Sequence, residues 1–149
     1  MAIPSEHIMK VERFRDFLRD RPDLNRLLEE KESTDNDLYE ALLAALDFIN
    51  CEVGYQTSFT LDAFPSWKIL RDAATLEVLV SAGIGAARNT LTYNDNGGIM
   101  SQDSDVYGRY MAYYNQLVVK VQQAVQNFKI TQNIENGFGG SESAYGAIW

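Results

Sequence analysis

A chain of 149 residues, 46% hydrophobic and 23% charged, is long enough for one modest domain with a core of its own. Its single cysteine, Cys51, excludes an internal disulfide framework and a cysteine-rich zinc site, and its single histidine, His7, stands near the N-terminus, away from any partner for a nucleophile pair. The net charge of −8 is unevenly spread, because residues 1–32 hold seven Lys/Arg against eight Asp/Glu and the remainder holds six against thirteen.

Tight nucleic-acid binding draws on phosphate neutralisation by lysine and arginine, so the acidic body predicts no specific nucleic-acid binding. Uncharged stretches such as Val78 to Ala87 fall far short of the roughly 20 residues of a membrane span, which predicts no membrane partner. The opening Met-Ala-Ile-Pro-Ser-Glu lacks a basic segment followed by an apolar one, so no export signal is expected.

In chain order, Ser5 is placed to cap a first helix whose apolar row is Ile8, Val11, Phe14, Phe17 and Leu18. Pro22 suits the first turn of a short second helix carrying Leu24, Leu27 and Leu28. Together they predict a surface helical hairpin over residues 1–32. The arginines there alternate with acids, which leaves no basic face for a DNA-reading helix-turn-helix.

The run Ser33-Thr34-Asp35-Asn36-Asp37 is a dense capping signal for a helix over 35–52, with Leu38, Leu42, Leu46 and Ile49 in one row. Cys51, at the end of this apolar pattern, is expected to be a buried and inert thiol. From Tyr55 to Ala63 the period changes to alternation, which predicts a short extended or β insert that ends before Pro65. A long helix is predicted over 66–91, apolar around much of its circumference, with Trp67 buried in the core. Asn94-Asp95-Asn96-Gly97-Gly98 is turn chemistry, and a last helix is predicted over 104–130.

The predicted class is mainly α: a helical bundle with a short extended or β insert and an extended C-terminal tail. It divides into an N-terminal hairpin (1–32), a helical core domain (33–131) and a flexible Gly/Ser-rich tail (132–149).

The chemical motifs are weak. Gly83-Ile84-Gly85 lies inside a helical pattern, with Arg88 where a dinucleotide fingerprint needs a small residue. Asp103-Ser104-Asp105 begins like a calcium loop, but Tyr107 and Tyr114 fall where oxygen ligands belong. No catalytic residue, metal site or cofactor is expected, and the chain is read as a non-enzyme. Aromatic residues are preferred interface anchors, so Tyr107, Tyr110 and Tyr114 on the last helix, and Phe138, Tyr145, Ile148 and Trp149 in the tail, are predicted to bind partners.

The helix order, the extended insert before Phe64-Pro65, the apolar helix ending in Arg88-Asn89 and the Tyr93-Asn94-Asp95-Asn96-Gly97-Gly98 loop resemble small virion proteins of tailed bacteriophages. The class resembled is the head-to-tail connector, also called the adaptor or neck protein, over roughly residues 34–149. That resemblance implies a ring, typically of twelve copies, beneath the portal protein. It implies a tail segment laid on the portal or a neighbouring subunit, a lumen through which DNA passes, and a place in the virion. A tail-completion or baseplate ring component, and a monomeric bacterial helical module that binds a partner helix, are the alternatives.

Overall fold

A computed structural model describes residues 3–23, 31–89, 94–95, 98–99 and 104–138, with the backbone alone described at 86–89, 94–95, 98–99, 104–106 and 135–138. The chain is mainly α-helical. It comprises α1 (Ser5–Leu18), α2 (Asp35–Asp47) continued by a π-helical turn (Phe48–Glu52), α3 (Trp67–Asn89) and α4 (Ser104–Phe138). A two-residue antiparallel pair, β1 (Asn94–Asp95) and β2 (Gly98–Ile99), stands between α3 and α4, pairing Asn94 with Ile99 and Asp95 with Gly98.

The starts of α2 and α3 follow from local chemistry, whereas α1 opens after Pro4 with no side-chain cap, and Ser5 is its first residue and not its cap. Thr34 and Asp37 form a reciprocal capping box: the Asp37 N–H donates to Thr34 Oγ1 at 3.2 Å and the Thr34 N–H donates to Asp37 Oδ2 at 2.9 Å. At α3 the Ser66 hydroxyl accepts from the Ile69 N–H at 3.5 Å and the Ser66 carbonyl accepts from the Leu70 N–H at 3.1 Å. α4 runs to Phe138, beyond the expected end at 130, so residues 132–138 are helical and not part of an extended tail. Ile130 and Ile134 sustain the helical spacing, and no glycine or proline stands between Ile130 and Gly137.

The core is centred on α2 and its π-helical continuation, where Leu38, Leu42 and Ala45 of α2 and Ile49 of the π turn are completely buried. α1 packs Val11 and Phe14 against them; α3 adds Leu70, Ala73, Ala74 and Leu76; α4 adds Val121 and Val125. α1 is a surface helix that buries one face, and Ile8 and Phe17 of its expected apolar row remain 46% and 44% exposed. The second helix expected around Leu24, Leu27 and Leu28 lies outside the described residues.

Two buried groups fix α1 to α2. The Arg15 guanidinium donates to Asp20 Oδ2 at 2.5 Å and to Asp35 Oδ1 at 2.7 Å. Asp20 also accepts from the Glu32 N–H at 2.6 Å and the Ser33 N–H at 3.0 Å. A buried carboxylate needs such partners to offset its desolvation, and here they draw the chain back to the start of α2.

The segment between the π turn and α3 takes the extended form of the expected insert and, among the described residues, forms no strand pair. The side chain of Asn50 takes the place of a strand partner. Its Nδ2 donates to the Phe59 carbonyl at 2.9 Å and its Oδ1 accepts from the Phe59 N–H at 3.0 Å. Thr57 reinforces this by donating its hydroxyl to Asn50 Oδ1 at 2.9 Å and its N–H to the Asn50 carbonyl at 3.0 Å. With these groups satisfied by one side chain, no ladder is required. The in-and-out alternation does hold at Thr57, Phe59 and Leu61 against the exposed Gln56, Ser58, Thr60 and Asp62.

α4 closes over this segment. Phe59, Phe64 and Phe128 form a cluster with ring centroids 5.3–5.9 Å apart and steep interplanar angles. Beside it Lys129 is almost fully buried, its ammonium donating to the carbonyls of Val53 and Tyr55, each at 2.7 Å. The Tyr55 hydroxyl donates in return to the Lys129 carbonyl at 2.7 Å.

Two expectations of burial fail. Trp67, the first residue of α3, is only half-buried at the rim, with the Arg13 guanidinium 5.0 Å above its ring. Cys51 is exposed because it continues the outer stripe of Glu40, Ala44 and Asp47 at three- and four-residue spacing.

Phe14→Ala is expected to cost about 3–5 kcal/mol in urea unfolding, and Trp67→Ala less than that. Lys129→Met leaves the Val53 and Tyr55 carbonyls without their donor and is expected to cost about 1–3 kcal/mol in the same measurement.

Candidate functional site

The buried core along α3 and α4 ends at Leu76 and Val121. Beyond that level α3 and α4 continue as a two-helix arm. A helix with apolar residues around most of its circumference needs cover on more than one side, and each arm helix is covered by the other along one seam.

The consequence is measurable on the surface. Val80 and Ile84 of α3 are 38% and 54% exposed, and Tyr107 and Tyr113 of α4 are 44% and 69% exposed. Gly83 is the buried residue of this stretch, and a Cβ there would stand 3.8 Å from the Tyr107 ring. The Tyr107 ring thus stands over Gly83 at ordinary van der Waals distance, and an alanine there would still fit beneath it. Tyr110 and Tyr114 are half-buried, and Tyr114 packs against the core.

The predicted tyrosine set is thus brought to one helix, but its members differ in availability. Tyr107 offers the most surface; Tyr110 and Tyr114 are partly committed to intramolecular packing. The side chain of Phe138, and all of Tyr145, Ile148 and Trp149, lie outside the described residues. Tyr113 belongs to the same tyrosine run and is the most exposed of these residues, and Val80 and Ile84 are the exposed members of the over-apolar α3. The readable signal was the near absence of charge from both arm helices, which leaves no polar face to turn outward. Val119, Ile130 and Ile134 of α4 are exposed as well.

The single histidine is not loose. His7 Nδ1 lies 3.1 Å from the Tyr39 hydroxyl and Nε2 lies 3.1 Å from Asp62 Oδ2. Lys10 binds the other oxygen of Asp62 and donates to the Leu61 carbonyl at 2.9 Å. Lys10 first, and His7 second, hold the Asp62 carboxyl below its usual range. Glu6 completes a group whose ligand atoms lie within 4.8 Å of one another. With Lys10 already countering the Asp62 charge, the group works as a clasp between α1 and the 53–66 segment.

Two grooves flank α2. One of about 930 Å3 is bordered by α1 and mixes Arg15, Arg21 and Lys31 with Glu12, Asp16, Asp23 and Asp35, so its charges largely cancel. The other, between α2 and α3, has a volume of about 570 Å3 and is lined by acids and small apolar residues. Among the described residues, no helix is long and apolar enough to cross a membrane. No family model matches the chain, and no curated protein and no solved structure matches it.

The lowered Asp37 and Asp62 carboxyls set an acid limit. The Thr34 hydroxyl and N–H hold Asp37 below its ordinary value of 3.8, and Lys10 with His7 does the same for Asp62. Their contribution is complete above pH 3.8 and is withdrawn as pH falls from there through the lower native values. Stability followed by circular dichroism should therefore decline more steeply below that pH in the wild-type chain than in Asp62→Asn.

Proposed function

We propose that the chain is a structural protein that assembles with copies of itself into a ring, of the kind tailed phages place between portal and tail. In this reading it resides in the virion and performs no catalysis, and DNA passes through the lumen of the ring. The observation that carries the reading is the arm, whose exposed Val80, Ile84, Tyr107 and Tyr113 form an apolar surface on two helices that cover each other along one seam.

Charge supports a second copy as the occupant of that surface. Between Val78 and Val119 the charged residues are Arg88, Asp95, Asp103, Asp105 and Arg109 alone, so nearly all of the −8 lies elsewhere. Copies that meet through their arms hold their acidic bodies apart. The arm carries two unlike surfaces, Val80 and Ile84 on α3 and Tyr107 and Tyr113 on α4. The α3 side of one copy set on the α4 side of the next makes a head-to-tail contact that closes into a ring when its rotation permits. An acidic lumen suits passage of DNA, because repulsion from phosphate opposes sticking. Phe138, Tyr145, Ile148 and Trp149 are assigned to contacts with the portal protein or a neighbouring subunit.

Light scattering on the purified chain is expected to give a multiple of 16.8 kDa well above a dimer, with rings visible by electron microscopy. Ile84→Lys combined with Tyr113→Lys places charge on exposed positions and is expected to return the mass to that of one chain while helicity is kept. A wild-type monomer at micromolar concentration overturns the ring.

A further inference from the structure

The α2–α3 groove carries charge of one sign over a floor of small residues. α3 continues to Asn89 past Ser81 and Ala82, the last α3 residues that share the groove with α2. At this step the floor is Ala41 and Ala44 on α2 and Val78 and Ala82 on α3. Side chains this small let another backbone approach closely.

The rim is acidic. Asp37 and Glu40 stand on one side and Glu77 on the other, and no lysine or arginine is among the described residues that line the groove. The stripe continues along the outside of α2 through Asp47, at the three- and four-residue spacing of one helix face. Glu77 is half-buried with Glu52 as its charged neighbour, so burial first and like-charge repulsion second push its carboxyl above the ordinary range. A cation placed beside Glu77 relieves both effects.

We propose that this groove docks an amphipathic helix of another protein that bears lysine or arginine beside a stripe of small apolar residues. The apolar stripe lies on Ala41, Ala44, Val78 and Ala82, and the cations reach Asp37, Glu40 and Glu77. Such a helix matches the groove in both spacing and charge. α1 of a second copy is a poor occupant, since its arginines interleave Glu6, Glu12 and Asp16 and its Val11 and Phe14 are buried at home. Nucleic acid and anionic lipid are repelled by the same carboxylates. The inference is independent of the ring, which rests on the arm.

The test uses the full chain and a synthetic helical peptide of about five turns, with alanine and leucine on one face and lysines flanking them. Calorimetry is expected to show saturable one-site binding that weakens as salt is added, and no binding of the same peptide with glutamate in place of lysine. Glu40→Lys and Glu77→Gln should each weaken binding about tenfold. Glu12→Lys, on the exposed side of α1, makes the same change in net charge as Glu40→Lys and should leave binding nearly unchanged. Absence of saturable binding overturns the proposal. Equal weakening by Glu12→Lys also overturns it, since the peptide would then be reading net charge alone. Mass by light scattering should be the same in all three variants, so failure of the groove and failure of the ring are read separately.

Discussion

The buried ammonium of Lys129 is the interaction on which the arrangement of α4 depends. It brings a charge to the interior and satisfies it with the carbonyls of Val53 and Tyr55. Burial pulls its pKa below the usual lysine range, with Cys51 opposing that pull, so the site costs desolvation and returns it as two charge-assisted hydrogen bonds. The gain is positional. Val53 and Tyr55 have no strand partner, and Lys129 gives their carbonyls a fixed donor on a rigid helix.

Asn50 performs the complementary task from the other end of the same segment. By pairing with both backbone groups of Phe59, it converts a stretch that alternates like a strand into a packed loop. The π-helical turn over Phe48–Glu52 carries Asn50 inward with Ile49 while Cys51 and Glu52 face outward. Phe59 and Phe64 are then presented to Phe128, one residue before Lys129. The loop and the π turn are joined to α4 at Phe128 and Lys129 by these contacts, and the arm is what remains of α3 and α4 beyond them.

This division explains why two different kinds of surface coexist on so small a protein. Where four elements meet, apolar residues are buried and acids face water. Where two helices run on together, the same apolar composition is left half-covered. The acidic groove lies at the step between these regions, which is why it combines a small-residue floor with a charged rim.

Much of the helical content was legible in the sequence, because caps and periodicity are local. Thr34 and Asp37 announce α2, Ser66 announces α3, and the 3.6-residue rows mark which face turns inward. What the sequence determined by itself was the mainly α class, the approximate starts of α2, α3 and α4, and the uncharged character of the later helices. Partnership across the chain was decided only in three dimensions. The pairs His7–Tyr39, Arg15–Asp35, Asn50–Phe59 and Lys129–Val53 join residues between 9 and 76 positions apart. None has a spacing signature, since a lysine in a helical row reads as a solvated charge until two carbonyls are found beside it. Trp67 and Cys51 show the converse: an apolar residue at an element's end is buried only if another element covers that end, and coverage is a property of the assembled fold.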